Sequence, residues 1–232
     1  MADGDARGNR RAVVTGASSG VGRAIAVDLL DKGWSVLCLS RSGPDIQHPG
    51  MAFIPVDLLD AATLEAALRD VGAVDALVHS AGVLKVGRHD AMSIGDGETM
   101  WRLHVECAAR MVRHLAPAMP DGGRIVLIGS RVAAGAAGRS LYAASKAALI
   151  GFARSVAAEL APRRITVNVV SPGATDTPML RDPSRAGEPP RMPPFGRYVR
   201  PEEVAALTGF LLSDGAASLT GQNIVVCGGA SL

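Results

Sequence analysis

Aromatic side chains are scarce in this sequence: four Phe, two Trp and two Tyr make up 3% of 232 residues. So few rings leave little to stack on exposed bases. The formal net charge is only +2, with acids and bases scattered rather than run together. There is thus no electrostatic footprint for nucleic acid or a membrane surface. Cysteine is sparse too, and Cys38, Cys107 and Cys227 are widely spaced and odd in number. That fits neither a disulfide framework nor a metal-ligand cluster, so no metal site is expected and a reducing cytoplasm is the simplest home. An uninterrupted apolar span of about 20 residues is missing, as is an apolar core in the polar, Gly-rich start. Residues 1–11 are expected to form a flexible tail.

What is present is 48% hydrophobic, so the core must be built mainly from Ala, Val, Leu and Ile. The length suits one domain, expected over residues 12–232. Short β-branched runs at 12–15, 35–40, 52–56, 76–80, 124–128, 165–170 and 223–226 read as buried strands. Stretches with helical spacing lie between them, at 21–32, 61–71, 98–119, 142–160 and 201–213. Alternating strand and helix predicts an α/β fold, a doubly wound parallel sheet with helices on both faces. Pro178, Pro183, Pro189, Pro190, Pro193 and Pro194 exclude regular structure from one stretch. It reads as a substrate-side flap over about 178–199, with a plain surface loop as the alternative. The helix at 142–160 is apolar nearly all round, which calls for burial on both sides and so for a neighbour such as a second subunit in a homo-oligomer.

After the first strand comes Thr15-Gly16-Ala17-Ser18-Ser19-Gly20-Val21-Gly22, leading straight into an amphipathic stretch. Glycines here let the chain turn sharply and approach a pyrophosphate, and the helix N-terminus offers free N–H groups and a positive dipole. A purely structural turn is the competing reading. The second strand ends in Ser40-Arg41-Ser42 with no carboxylate to meet ribose hydroxyls. Arg41 and the flanking hydroxyls suit a 2′-phosphate, which favours NADP(H) over NAD(H), unless Arg41 is an ordinary solvated side chain. Asp57, in Val56-Asp57-Leu58, stands where it could meet an adenine edge or cap the next helix.

Tyr142 and Lys146 are four apart near a helix start and so share a face. An ammonium beside a phenol favours phenolate, which brings the tyrosine closer to the working range of an acid/base. Such a pair alone is commonplace. Its weight comes from Ser130, at the end of the fifth strand, and from the general rule that ligands gather at strand carboxyl ends in open parallel sheets. The nucleotide turn, Asp57, Ser80-Ala81-Gly82, Ser130 and Ser171-Pro172-Gly173 all fall at such ends.

In this order and spacing, those motifs together with His79, Tyr142-Ala143-Ala144-Ser145-Lys146, Asn168, Thr177, Thr220-Gly221 and Gly228-Gly229 resemble the short-chain dehydrogenase/reductase family over roughly residues 11–230. The resemblance implies a seven-stranded sheet and a dimer or tetramer built through the long helices. It implies that Ser130 hydrogen-bonds the substrate oxygen, that Tyr142 gives or takes its proton, and that Lys146 holds the nicotinamide ribose. By the same resemblance Gly16, Ser18, Ser19, Gly20 and Val21 line the phosphates and ribose, and Asp57 and Leu58 the adenine. Ser80, Ala81 and Gly82 would flank the nicotinamide ribose, and Pro172, Gly173, Thr175 and Thr177 the pyrophosphate and carboxamide. Three positions depart from the family pattern. His104 replaces an Asn of a water relay and either continues the relay or fills space. His79-Ser80 replaces Asn-Asn, and Cys227, expected as a buried structural thiol, replaces Asp.

The expected function is an oxidoreductase acting on a small ketone, aldehyde or secondary alcohol. A 3-oxoacyl thioester is the nearest other substrate, because the flap mixes Met179, Leu180, Met192 and Phe195 with Arg181, Arg185 and Arg191. A non-catalytic NADP-binding regulator would lack the tyrosine or lysine, and a nucleotide-sugar epimerase would need a longer C-terminal region.

Overall fold

The computed structural model describes residues 10–182 and 191–232. The expected tail up to residue 9 and the flap segment 183–190, with Pro183, Arg185, Pro189 and Pro190, lie outside the described residues. Seven parallel strands form one sheet: β1 (Arg11–Thr15), β2 (Ser35–Ser40), β3 (Met51–Pro55), β4 (Ala76–His79), β5 (Arg124–Ile128), β6 (Thr166–Pro172) and β7 (Asn223–Val226). Their order is β3-β2-β1-β4-β5-β6-β7. The chain runs outward one way from β1, then returns to start β4 on its other side, so a crevice opens where the order reverses.

Alternation along each strand divides the core. Val13, Leu77, Ile125, Leu127 and Val169 face one layer, packed on α2 (Ala61–Arg69), α4 (Cys107–Leu115) and α5 (Ser140–Leu160). Val14, Val78, Val126 and Val170 face the other, packed on α1 (Gly20–Asp31) and α6 (Pro201–Leu211). Each fully buried Leu or Val contributes roughly 1.5–3 kcal/mol relative to exposure, so β1, β4, β5 and β6 form a rigid platform for the residues at their carboxyl ends.

Two expectations are corrected. Strands β3 and β7 are not buried throughout: Ala52, Phe53, Asn223 and Val225 are exposed, because these strands pair on one side only and form the sheet edges. The single helix read over 98–119 is instead α3 (Ile94–Trp101), a five-residue π-turn over Arg102–Glu106, and α4. In the wide turn Cys107 N–H bonds to the Arg102 carbonyl, five residues back, a local widening that apolar periodicity does not register. In the single chain α5 packs one face on the sheet, and Ala144, Ala147, Gly151, Ser155 and Ala158 are exposed on the face for which the sequence calls for a neighbour.

Candidate active site

The chain leaves β1 through Gly16, whose φ of +70° suits only glycine without strain; a Cβ there would meet the Ala81 Cα at 2.9 Å. A Cβ on Gly22 would collide with the Gly16 carbonyl, so α1 seats against the turn only because position 22 is bare. Ser19 caps α1 by backbone geometry and makes no side-chain cap bond. The leading N–H groups of the helix therefore face the cleft with their positive dipole end. Thr177 closes this side, its Cγ2 packed near Gly20, and its hydroxyl donates to the Thr175 carbonyl at 3.3 Å.

At the ends of β2 and β3, the Ser40 hydroxyl donates to the Ser42 carbonyl at 2.8 Å and lies 3.1 Å from Cys38 Sγ. Its hydrogen is thereby engaged within the loop, while Arg41 remains exposed on the cleft rim. Asp57 accepts the Leu59 N–H at 3.0 Å. The cap of α2 is Asp60, which accepts from Ala62 and Thr63, so the capping alternative for Asp57 is corrected and its carboxylate stays on the cleft wall.

Ser130 follows β5 in extended backbone and accepts the Val132 N–H at 3.2 Å. Tyr142 and Lys146 sit in the first turns of α5, which lies across the carboxyl end of β5. There Lys146 Nζ donates to the Ile128 carbonyl at 2.8 Å and stands 6.0 Å from the Tyr142 ring centre. Burial disfavours the ammonium and pulls Lys146 down to about 7. The Tyr142 ring meets His104 edge to face, with centres 5.7 Å apart.

His104 projects from the π-turn toward α5. Its Nε2 accepts the Val83 N–H at 3.2 Å, and its Nδ1 lies 2.9 Å from Ser145 Oγ, which itself donates to the Tyr142 carbonyl at 2.8 Å. His79, ending β4, has Nδ1 at 2.9 Å from Thr15 Oγ1 and Nε2 at 3.0 Å from the Leu103 carbonyl. Thr15 Oγ1 also accepts the N–H groups of Ser80 and Ala81, both at 3.0 Å. Both ring nitrogens of His79 and the N–H of Ser80 therefore have partners at this departure. Cys227 corrects its expectation: it is half-buried, not buried, since it follows the edge strand β7, and it lies 3.4 Å from Ser231 Oγ.

The catalytic and cofactor-binding residues expected from sequence all border one cleft of about 400 Å³. It runs from Arg41 and Asp57, past the Gly16–Gly22 turn and Ala81-Gly82, to Ser130, Tyr142, Lys146 and His104, with Pro172, Gly173, Thr175 and Thr177 opposite. A dinucleotide fits this donor set. Bare backbone stands where phosphates need close approach, and Arg41 is at the far rim. Among the described residues no His, Cys, Asp or Glu cluster could hold a metal, and no helix is long and apolar enough to cross a membrane. Sequence reasoning gave no part to the side chains of Ser145 and Thr15, and missed the Ile128 carbonyl and the cleft walls Leu84, Arg131, Val132 and Arg139. The only signal for Thr15 was its register opposite His79 on β4, which exists once the strand order is known.

A family model described as Enoyl-(Acyl carrier protein) reductase matches residues 16–231. The 3-oxoacyl-[acyl-carrier-protein] reductase FabG of Salmonella typhimurium is 37% identical over 234 residues, covering 94% of this chain and 96% of the relative. The 2,3-dihydro-2,3-dihydroxybenzoate dehydrogenase of Escherichia coli is 36% identical, covering 94% and 96%. A solved structure of a blue fluorescent protein from a metagenomic library, in complex with NADPH, superposes with a TM-score of 0.85 at 32% identity, covering 97% of this chain and 99% of that one. With its sheet order, nucleotide turn and Ser130, Tyr142 and Lys146 gathered at one crevice, this oxidoreductase belongs to the short-chain dehydrogenase/reductase family.

Proposed function

We propose that this chain is an NADP(H)-dependent reductase of a small ketone or aldehyde, able to run in reverse on a secondary alcohol. The observation that carries this reading is that Ser130, Tyr142 and Lys146 share one cleft with the glycine turn and Arg41. When bound, the nicotinamide supplies or accepts the hydride. Gly16, Ser18, Ser19, Gly20 and Val21 would hold its phosphates and ribose, Arg41 the 2′-phosphate on a loop that the Ser40 hydroxyl braces, Asp57 and Leu58 the adenine. Ser80, Ala81, Gly82, Pro172, Gly173, Thr175 and Thr177 would enclose the rest.

The chain's own part is proton management. Ser130 donates a hydrogen bond to the substrate oxygen, and the Tyr142 hydroxyl delivers the proton to that atom. The Lys146 side chain, fixed by the Ile128 carbonyl, stabilises the phenolate left behind when it is charged. With its value near 7, it also exchanges protons readily at neutral pH. A positioned acid of this kind contributes about 10²–10⁴-fold in rate. The three unpaired thiols suit a reducing cytoplasm.

A second reading, reduction of a 3-oxoacyl thioester, is favoured by Arg131, Arg139 and Arg191 on the substrate side of the cleft and by the likeness to FabG. Purified protein with NADPH or NADH and a panel of ketones, aldehydes and 3-oxoacyl thioesters tests both. The expected result is faster turnover with NADPH, and equal or better turnover with NADH would sink the NADP assignment. A kcat/KM at least about tenfold higher on the thioester would select the second reading.

A further inference from the structure

The two histidines inside the molecule leave no freedom in where their protons sit. His79 Nε2 faces the Leu103 carbonyl, which only accepts, so this nitrogen carries the hydrogen. His79 Nδ1 then holds the lone pair and accepts from Thr15. The Thr15 hydroxyl can supply that hydrogen because its oxygen already takes two N–H bonds, from Ser80 and Ala81. His104 is the reverse case. Its Nε2 faces the Val83 N–H, a donor, so the lone pair is there and the hydrogen is on Nδ1, directed to Ser145 Oγ. Ser145 in turn spends its own hydrogen on the Tyr142 carbonyl.

Both rings are buried, His79 at 1% and His104 at 0% exposure, and every ring nitrogen has a partner. An added proton on His79 would break the Thr15 bond, and one on His104 would break the Val83 bond. The titratable groups facing them are Lys146, Tyr142 and each other. Burial, and then the charge of Lys146, holds both imidazoles below their usual range, His79 at about 4 and His104 lower. The two rings also grip consecutive residues of the π-turn: His79 takes the Leu103 carbonyl, and the next residue is His104 itself.

We propose that His79 and His104 are a pair of positioning residues that carry their protons on opposite ring nitrogens and stay neutral from pH 5 to 9. Together they lock the π-turn between the nucleotide turn at Thr15 and the first turn of α5 that carries Tyr142. The chain of bonds Thr15, His79, Leu103, His104, Ser145, Tyr142 sets the height of the tyrosine over the cleft, and the proton resupplied to Tyr142 does not travel through the His104 ring. Only the kinetic arm of the test rests on Tyr142 being the acid.

The first measurement is long-range ¹H–¹⁵N correlation on the full-length protein with ¹⁵N-labelled histidine, from pH 5 to 9, with and without NADPH. His79→Asn and His104→Asn assign the signals. The expected spectrum shows His79 as the Nε2–H form and His104 as the Nδ1–H form. Neither signal moves across that range. A titrating His104, or an Nε2–H form, overturns the proposal. This spectrum is read on the unaltered protein whether or not any carbonyl is turned over, so a failed substrate assignment leaves it intact.

The second measurement is steady-state kinetics. His104→Ala removes both bonds and is expected to lower kcat about tenfold with the midpoints of the pH–rate profile unmoved. His104→Asn offers an amide oxygen to Val83 and an N–H to Ser145, and is expected to recover at least threefold of that loss. A shifted acidic midpoint in His104→Ala, or no recovery in His104→Asn, overturns the positioning role.

Discussion

The two ends of the cleft are made of different material. At the nucleotide end, backbone N–H groups of the Gly16–Gly22 turn and exposed side chains such as Arg41 and Asp57 form the wall. At the chemical end the wall is side chains taken almost wholly out of water: Ser130 and Tyr142 are 8% exposed, Lys146 5% and His104 0%. A backbone-built site tolerates changes of side chain and answers to shape. A buried polar site depends on each partner, because an unpaired group there costs about 1–3 kcal/mol. Substitutions at the chemical end should therefore strike turnover and folding hard, and those at the nucleotide rim should shift preference mildly.

The largest effect expected is from Tyr142→Phe, which removes one hydroxyl. Turnover should fall at least about 100-fold while NADPH binding, followed by nicotinamide fluorescence, stays close to normal. Turnover near that of the parent would break the contrast between the two ends at its strongest point.

The next concerns pH. His79 is held at about 4 against an ordinary 6.5, and His104 lies lower still, both through burial first. The unfolded chain binds protons from pH 6.5 downward where the folded chain does not. The stability this confers is thus full above pH 6.5 and is lost as pH falls toward 4. The loss expected over that window is on the order of a few kcal/mol, measured by urea melts at pH 7, 5.5 and 4.5. A His79→Asn/His104→Asn variant should show a shallower decline; an identical slope would place the acid sensitivity elsewhere.

At the nucleotide rim, Arg41→Ala should lower kcat/KM for NADPH by about tenfold and leave NADH unchanged, the scale of one charge-assisted phosphate contact. An equal loss with both coenzymes would mean that Arg41 shapes the loop and reads no phosphate. The smallest effect is expected from Asp60→Ala, which uncaps α2 outside the cleft. It should cost about 1 kcal/mol in a thermal or urea melt with turnover retained, and a loss of turnover would show that the rim is coupled to the chemistry.

Much of this was legible in the chain. The strand runs predicted all seven strands to within a residue or two, because a buried parallel strand must be apolar and β-branched over a short span. The edge positions of β3 and β7 were not legible, since an apolar run does not say whether one neighbour or two will pair with it. The same holds for the π-turn. The apolar spacing of Met100, Leu103, Cys107 and Met111 is compatible with one continuous helix, and the extra residue shows only when the Cys107 N–H is seen bonded to the Arg102 carbonyl. Asp57 and Asp60 could exchange the role of helix cap until the start of α2 was placed.

The sequence by itself determined the order of elements, the glycine turn, and the Tyr142 and Lys146 pair, because each is set by local chemistry: φ freedom, helical spacing, strand patterning. Only the tertiary structure decided what surrounds that pair. Lys146 is drawn down toward neutrality by burial, tied to a carbonyl 18 residues away, and set near two imidazoles whose protons are placed by partners on other elements. Bonds that join residues 64 apart, as Thr15 joins His79, leave no periodicity in the chain. They exist only when the sheet brings the strand ends together.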